Sequence, residues 1–158
     1  MTVSEYNHTV HQCSDDLYRF ALRYSNISAA AQDAVQDVFL TLWERRTEVE
    51  TATAKGYLVR TLYRRLIDLH RHDEVVRRSA PDAPAEAYAQ HEAFELRDAM
   101  AQALAQLPEQ QRALVLLRDL EGYDYAAMAA MTGLSEQQVG VYLFRARMTL
   151  KKLLEDYR

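Results

Sequence analysis

Between residues 57 and 71 the chain carries Tyr57, Arg60, Tyr63, Arg64, Arg65 and Arg71, with His70 and His72 beside them. Cations neutralise phosphates, and aromatic faces take up unstacked bases, so this mixture suits a single strand of nucleic acid. A basic helix face in solvent is the plain alternative. A second set lies near the C-terminus: Gln137, Gln138, Val141, Tyr142 and Arg145. Glutamine amides can pair with adenine edges and arginine with guanine edges. Arg147, Lys151 and Lys152 would then reach phosphates. A third set is Asp33, Gln36, Asp37 and Leu40. These four would stand opposite an apolar stripe, as a small polar face with one exposed apolar residue; a solvated helix face is the plain alternative.

Catalytic chemistry is not indicated. His8, His11 and Cys13 form an H-x-x-H-x-C run, but a zinc site usually wants four ligands and no second cluster lies nearby. Cys13 also falls on an apolar stripe, so no metal is expected. There is no phosphate loop, nucleophile motif or pair of carboxylates at working spacing. The expectation is a binding protein that is not an enzyme, with no cofactor and no small-molecule substrate.

These residues need helices to hold them. The chain has 158 residues with only 4 glycines and 3 prolines, and it is rich in good helix formers. No apolar run approaches the ~18 residues of a membrane span. The N-terminus lacks the basic start and apolar stretch of a signal peptide, and a lone cysteine forms no internal disulfide. A cytoplasmic location is expected. Tyr6, Val10, Cys13, Leu17, Phe20 and Tyr24 make one helical stripe, with Ser4 as its cap. Ala31, Val35, Val38, Phe39, Leu42 and Trp43 make a second, capped by Ser28, with Phe39 and Trp43 read as core. Leu58, Leu62, Leu66 and Leu69 make a third, on a helix starting near Thr53. Three amphipathic helices with short loops predict a bundle over residues 1–73.

The net charge of −4 argues against nucleic acid until it is located along the chain. Residues 1–72 balance nine acidic against nine basic side chains, and 96–158 balance eight against eight. Residues 73–95 hold the whole excess, six acidic against two basic. With the two prolines of Ser79–Glu86, residues 74–92 read as an acidic linker. Helical pattern resumes near Ala93 with Leu96, Met100, Leu104 and Leu107. Pro108 suits the start of a further helix containing Ala113, Leu114 and Leu117, and Gly122 suits its end.

The strongest local signal follows. Asp124 can cap a short helix from Tyr125 to Met131, and Gly133 can take the left-handed turn. Ser135 with Gln138 is a capping box opening a long helix. Helix, short turn with glycine, and second helix is the helix-turn-helix pattern, whose second helix enters the major groove. Val139, Leu143 and Ala146 would face inward. The fold class expected is all-α, with an N-terminal bundle and a C-terminal helix-turn-helix domain over 93–158.

Two blocks of residues carry a family resemblance. The first is Leu17-Tyr18-Arg19-Phe20-Ala21, Asp33 to Phe39, Leu42-Trp43, Tyr57 to Arg60 and Ile67 to Arg71. The second is Leu107 to Arg112, Glu121 to Tyr125, Gly133-Leu134-Ser135, Val139 and Leu143 to Arg147. Together, in this order, they resemble the extracytoplasmic-function (ECF) sigma factors of bacteria. The resemblance implies binding to core RNA polymerase and direction of it to promoter DNA. It implies that the first domain grips the clamp helices of the largest subunit and opens the −10 element. The second domain would read the −35 element and touch the flap of the other large subunit. On this reading Asp33, Gln36, Asp37 and Leu40 meet polymerase. Tyr57, Arg60, Tyr63, Arg64, Arg65 and Arg71 hold the −10 strand, and the recognition helix reads −35.

Many members are held inactive by an anti-sigma factor, often a membrane protein, and the residues leave open whether one exists here. The chain departs from the family at Arg64, where asparagine is common, and at Gly140 and Tyr142, where polar or basic residues are common. A stand-alone helix-turn-helix regulator, or a sigma mimic that only sequesters a partner, would share much of the same pattern.

Overall fold

A computed structural model of the chain describes residues 1–79 and 95–155, with side chains described at 1–76 and 99–155. Residues 80–92 of the expected linker lie outside the described residues, as does the side chain of Leu96. Seven α-helices are described: α1 (Val3–Ser25), α2 (Ser28–Glu44), α3 (Ala54–Ser79), α4 (Glu95–Gln106), α5 (Glu109–Val115), α6 (Tyr125–Thr132) and α7 (Glu136–Leu153). Among the described residues there is no strand.

The cap of α1 lies two residues earlier than the sequence suggests. Thr2, not Ser4, is its cap, accepting a hydrogen bond from the Glu5 N–H at 3.1 Å. It ends at Asn26, whose φ of 58° is left-handed; asparagine tolerates that conformation better than most residues. Ser28 does not cap α2 either: Ile27 holds the cap position without a side-chain bond. The Ser28 hydroxyl instead pairs with the Tyr18 hydroxyl at 2.9 Å, joining α2 to α1. The Tyr6 hydroxyl donates to the Phe39 carbonyl at 2.8 Å and makes the same junction at the other end.

α1, α2 and α3 pack on one another. Leu17, Val38, Leu42, Leu58 and Leu62 are fully buried between them, each large side chain contributing roughly 1.5–3 kcal/mol. Trp43 departs from its expected core position and is only half-buried. Its ring lies at the bundle's edge, with the Tyr6 ring edge-on at 5.0 Å and the Arg46 guanidinium 3.9 Å above it. An indole is large, and a position at the flank of the stripe lets one face meet a cation.

In the second half, α4 buries Ala99, Ala103 and Leu104, and Leu107 just after it is buried too. Met100 departs from the expected stripe and is exposed, because the small face of Ala99 and Ala103 lies inward and turns Met100 outward. After α5 the helix widens into a π-helical segment, Leu116–Leu120, with the Glu121 N–H bonded to the Leu116 carbonyl at 3.1 Å. Gly122 then turns the chain at φ 77°, a conformation costly to any residue with a Cβ. Asp124 caps α6, and Gly133 (φ 79°) ends it. Both halves of the Ser135–Gln138 capping box are formed at the start of α7. Val139, Leu143 and Ala146 are fully buried, as their spacing requires.

The two halves meet. α3 packs against α5 and α6, while α1 packs against α4 and the π segment, and the buried residues of both halves form one cluster.

Candidate nucleic-acid and polymerase interfaces

α7 presents the clearest candidate surface. Because Val139, Leu143 and Ala146 face the core, helical geometry sends Gln137, Val141, Arg145 and Met148 the other way. All four are exposed. Tyr142 is half-buried and packs against the core. Gln138 is exposed but committed in part: its side-chain oxygen accepts from the Ser135 N–H at 2.9 Å. Arg145 has a free outward position, whereas Arg147 pairs with Asp119 at 2.8 Å. Lys151 is exposed in the last turn. Gly140 lies with its α-hydrogen side 3.5 Å from the Tyr125 ring, counted from where a Cβ would stand. Phe144, 67% exposed, and Met148 were not singled out from the sequence as contact residues. They fall three and seven residues after Val141, so the same periodicity that places Val141 outward also places them there.

The polar face of α2 is open. Asp33 and Gln36 are exposed, and Leu40 is 57% exposed. Asp37 is half-exposed and accepts from Arg65 of α3 at 2.8 Å. Two of the sequence-picked sets thereby touch.

The α3 set is divided. Tyr57 and Arg60 are half-exposed, the guanidinium 6.0 Å from the ring centre, and Arg64 and Arg65 are exposed. Tyr63 is only 5% exposed. Gln110 of α5 stands near its hydroxyl, and burial raises its pKa above the ordinary tyrosine value. Arg71 is ion-paired with Glu109, also of α5, at 2.6 Å; that hydrogen bond raises its pKa.

Sequence reasoning did not foresee the seam that creates these contacts. At its centre is Arg112, 5% exposed. It donates to the carbonyls of Ala105 (2.9 Å) and Leu107 within its own half, and to that of Tyr24 (3.3 Å) across the seam. Its guanidinium lies 4.9 Å from the centre of the Tyr24 ring. Burial lowers the Arg112 pKa and raises that of Tyr24. The Arg112 Nε and the Tyr24 hydroxyl have no hydrogen-bond partner among the described residues. At the seam's edge Arg19 binds Glu121 through Nε and Nη2 at 3.0–3.2 Å.

This architecture is that of a two-domain sigma-type protein. Residues 9–74 match the family model described as Sigma-70 region 2, and residues 97–150 match that described as Sigma-70, region 4. The chain is 33% identical over 148 residues to the ECF RNA polymerase sigma factor SigM of Mycobacterium tuberculosis, covering 87% of this chain and 71% of that protein. It is 28% identical to the ECF RNA polymerase sigma factor SigE of Mycolicibacterium smegmatis and 27% identical to the probable RNA polymerase sigma factor RfaY of Xanthomonas campestris pv. campestris. Both alignments cover 94% of this chain, but only 61% and 40% of those proteins' lengths. The fold is also that of the sigma factor RpoE, solved in complex with the anti-sigma factor NepR from Bartonella quintana. That match has a TM-score of 0.79 and 24% identity, covering 99% of this chain and 100% of RpoE. CnrH, solved in complex with the cytosolic domain of CnrY, matches with a TM-score of 0.73 and 22% identity, covering 97% and 89%. The chain belongs to the ECF RNA polymerase sigma factors.

Proposed function

We infer that the chain binds core RNA polymerase and directs promoter-specific initiation, acting by recognition and with no catalysis of its own. The observation that carries this is the pairing, in one chain, of an open α2 face around Leu40 with a helix α7 opened by a complete capping box, on which Gln137, Val141 and Arg145 are exposed. Polymerase would meet Asp33, Gln36, Asp37 and Leu40, through the clamp helices of its largest subunit. Tyr57, Arg60, Tyr63, Arg64, Arg65 and Arg71 would hold the −10 strand, with arginines on phosphates and tyrosines on bases. Gln137, Gln138, Val141, Tyr142 and Arg145 would read −35 base edges, with Arg147 and Lys151 near phosphates. Residues 1–73, 74–92 and 93–158 would be region 2, linker and region 4. Working in the cytoplasm, the chain would be open to control by an anti-sigma factor, a reading supported by the sigma factor–anti-sigma complexes of similar fold.

The test is competition between the purified chain and a labelled housekeeping sigma factor for purified bacterial core polymerase. Stoichiometric displacement is expected. A folded monomer that displaces nothing, yet binds duplex DNA unaided, would instead be a free-standing regulator.

A further inference from the structure

We propose that α7 reads a thymine of the −35 element through its 5-methyl group, seated in an apolar recess over Gly140 that Tyr125, Val141 and Phe144 wall. This rests on the reading of α7 as the −35 helix. Phe144 is more exposed than any other large apolar side chain among the described residues. A long helical side chain leans toward the helix N-terminus, which lays the Phe144 ring over the turn of Gly140 and Val141. Val141 is itself exposed. Tyr125, at the start of α6, closes the recess from the neighbouring helix: its ring lies 3.5 Å from where a Cβ of residue 140 would stand. Gly140 is half-exposed and puts no side chain between these walls.

Cations surround the recess. Arg145 is exposed beside Phe144, and the Arg118 guanidinium lies 5.6 Å from the centre of the Tyr125 ring. A fitting partner is therefore apolar at one point and anionic around it. Duplex DNA meets that description at thymine, whose 5-methyl is the apolar group among the base edges of the major groove and is flanked by phosphates. A polar or basic side chain at position 140 would make a hydrogen bond at this place. Glycine removes that bond and leaves room for a methyl group, so the departure at Gly140 exchanges one kind of base reading for another. Phe144 thereby joins the residues that determine which −35 sequence is read.

The experiment uses the full chain assembled with core RNA polymerase. Duplexes are selected from a random pool, and each thymine of the enriched −35 element is then replaced by deoxyuridine, which lacks only the methyl group. Competition between the two duplexes is measured for the wild type, Phe144→Ala and Gly140→Ala. At one thymine the replacement should weaken wild-type binding about 4-fold, the worth of one buried methyl. Both variants should bind the two duplexes alike, Phe144→Ala because a wall is gone and Gly140→Ala because the floor is filled. Alanine at 140 favours the helix and meets the Tyr125 ring at ordinary contact distance, so its loss of discrimination is not a loss of folding; thermal melting checks this for both variants. A −35 element selected without thymine, or methyl discrimination that survives both substitutions, would overturn the recess. Equal binding of thymine and deoxyuridine by the wild type would also overturn it, and would leave the patch to an apolar protein partner. Failure of the wild type to displace a labelled sigma factor from core polymerase would instead remove the sigma reading itself.

Discussion

At the level of single side chains, neighbouring arginines of α7 carry different burdens. Arg145 points outward without an ion-pair partner among the described residues, while Arg147 is already tied to Asp119. Replacing Arg145 by alanine should cost roughly 1–3 kcal/mol of −35 discrimination, a loss of about 5- to 150-fold in run-off transcription from cognate promoters. Arg147→Ala should weaken binding evenly across sequences and lower the salt slope by about one. Gln138 is narrower in its reading than a free glutamine. Its oxygen already accepts from the Ser135 N–H, so its amide nitrogen is the group wholly left for a base edge, as a donor. Selection of promoters from a random pool by the assembled polymerase should deplete cytosine opposite Gln138, since its major-groove edge offers only a donor; enrichment of cytosine there would contradict the geometry. Leu40, exposed on α2, contributes little to folding. Leu40→Ser should leave thermal stability within about 0.5 kcal/mol yet reduce competition for core polymerase about 10-fold or more, as expected of a central interface residue.

At the level of elements, the start of α7 is held by local bonds. Ser135→Ala removes the cap and should cost about 1 kcal/mol, seen as a lower urea midpoint. Leu143→Ala, at a fully buried site, should cost about 2–5 kcal/mol and unfold the helix-turn-helix in far-ultraviolet circular dichroism. These same features were plain in the sequence because their causes are local. Asp124, Gly133 and the Ser135–Gln138 box each act within a few residues, and a helical period follows from geometry alone. Ser4, Ser28, Trp43 and Met100 were misplaced for the converse reason. Competing caps one or two residues apart look alike, and which flank of a stripe faces inward depends on what packs against it. The fates of Tyr63 and Arg112 were beyond reach, since the bond from Arg112 to the Tyr24 carbonyl joins residues 88 apart.

For the whole molecule, the seam gathers three tyrosines, Tyr24, Tyr63 and Tyr123, whose pKa values are raised chiefly by burial. A raised value means that the folded chain prefers the neutral phenol. The associated stability is complete below the unfolded value of about 10 and is lost as pH rises beyond it. Urea midpoints should therefore fall between about pH 9 and pH 11. The fall should be shallower for Tyr24→Phe, which removes a hydroxyl without a partner among the described residues. An equal fall in both proteins would place the alkaline transition elsewhere.

α3 has one further consequence. It runs unbroken for 26 residues, about 39 Å, and His72 through Val76, in its later part, are exposed. The tether to the second half is thus slung from the tip of a stiff spar and not from the body of the first. A spar has phase as well as length. Deleting one residue beyond His72 would draw the tip back by about 1.5 Å and swing it through about 100°. The promoter spacing tolerated by successive deletions should oscillate with the helical repeat, where a slack string would only shorten.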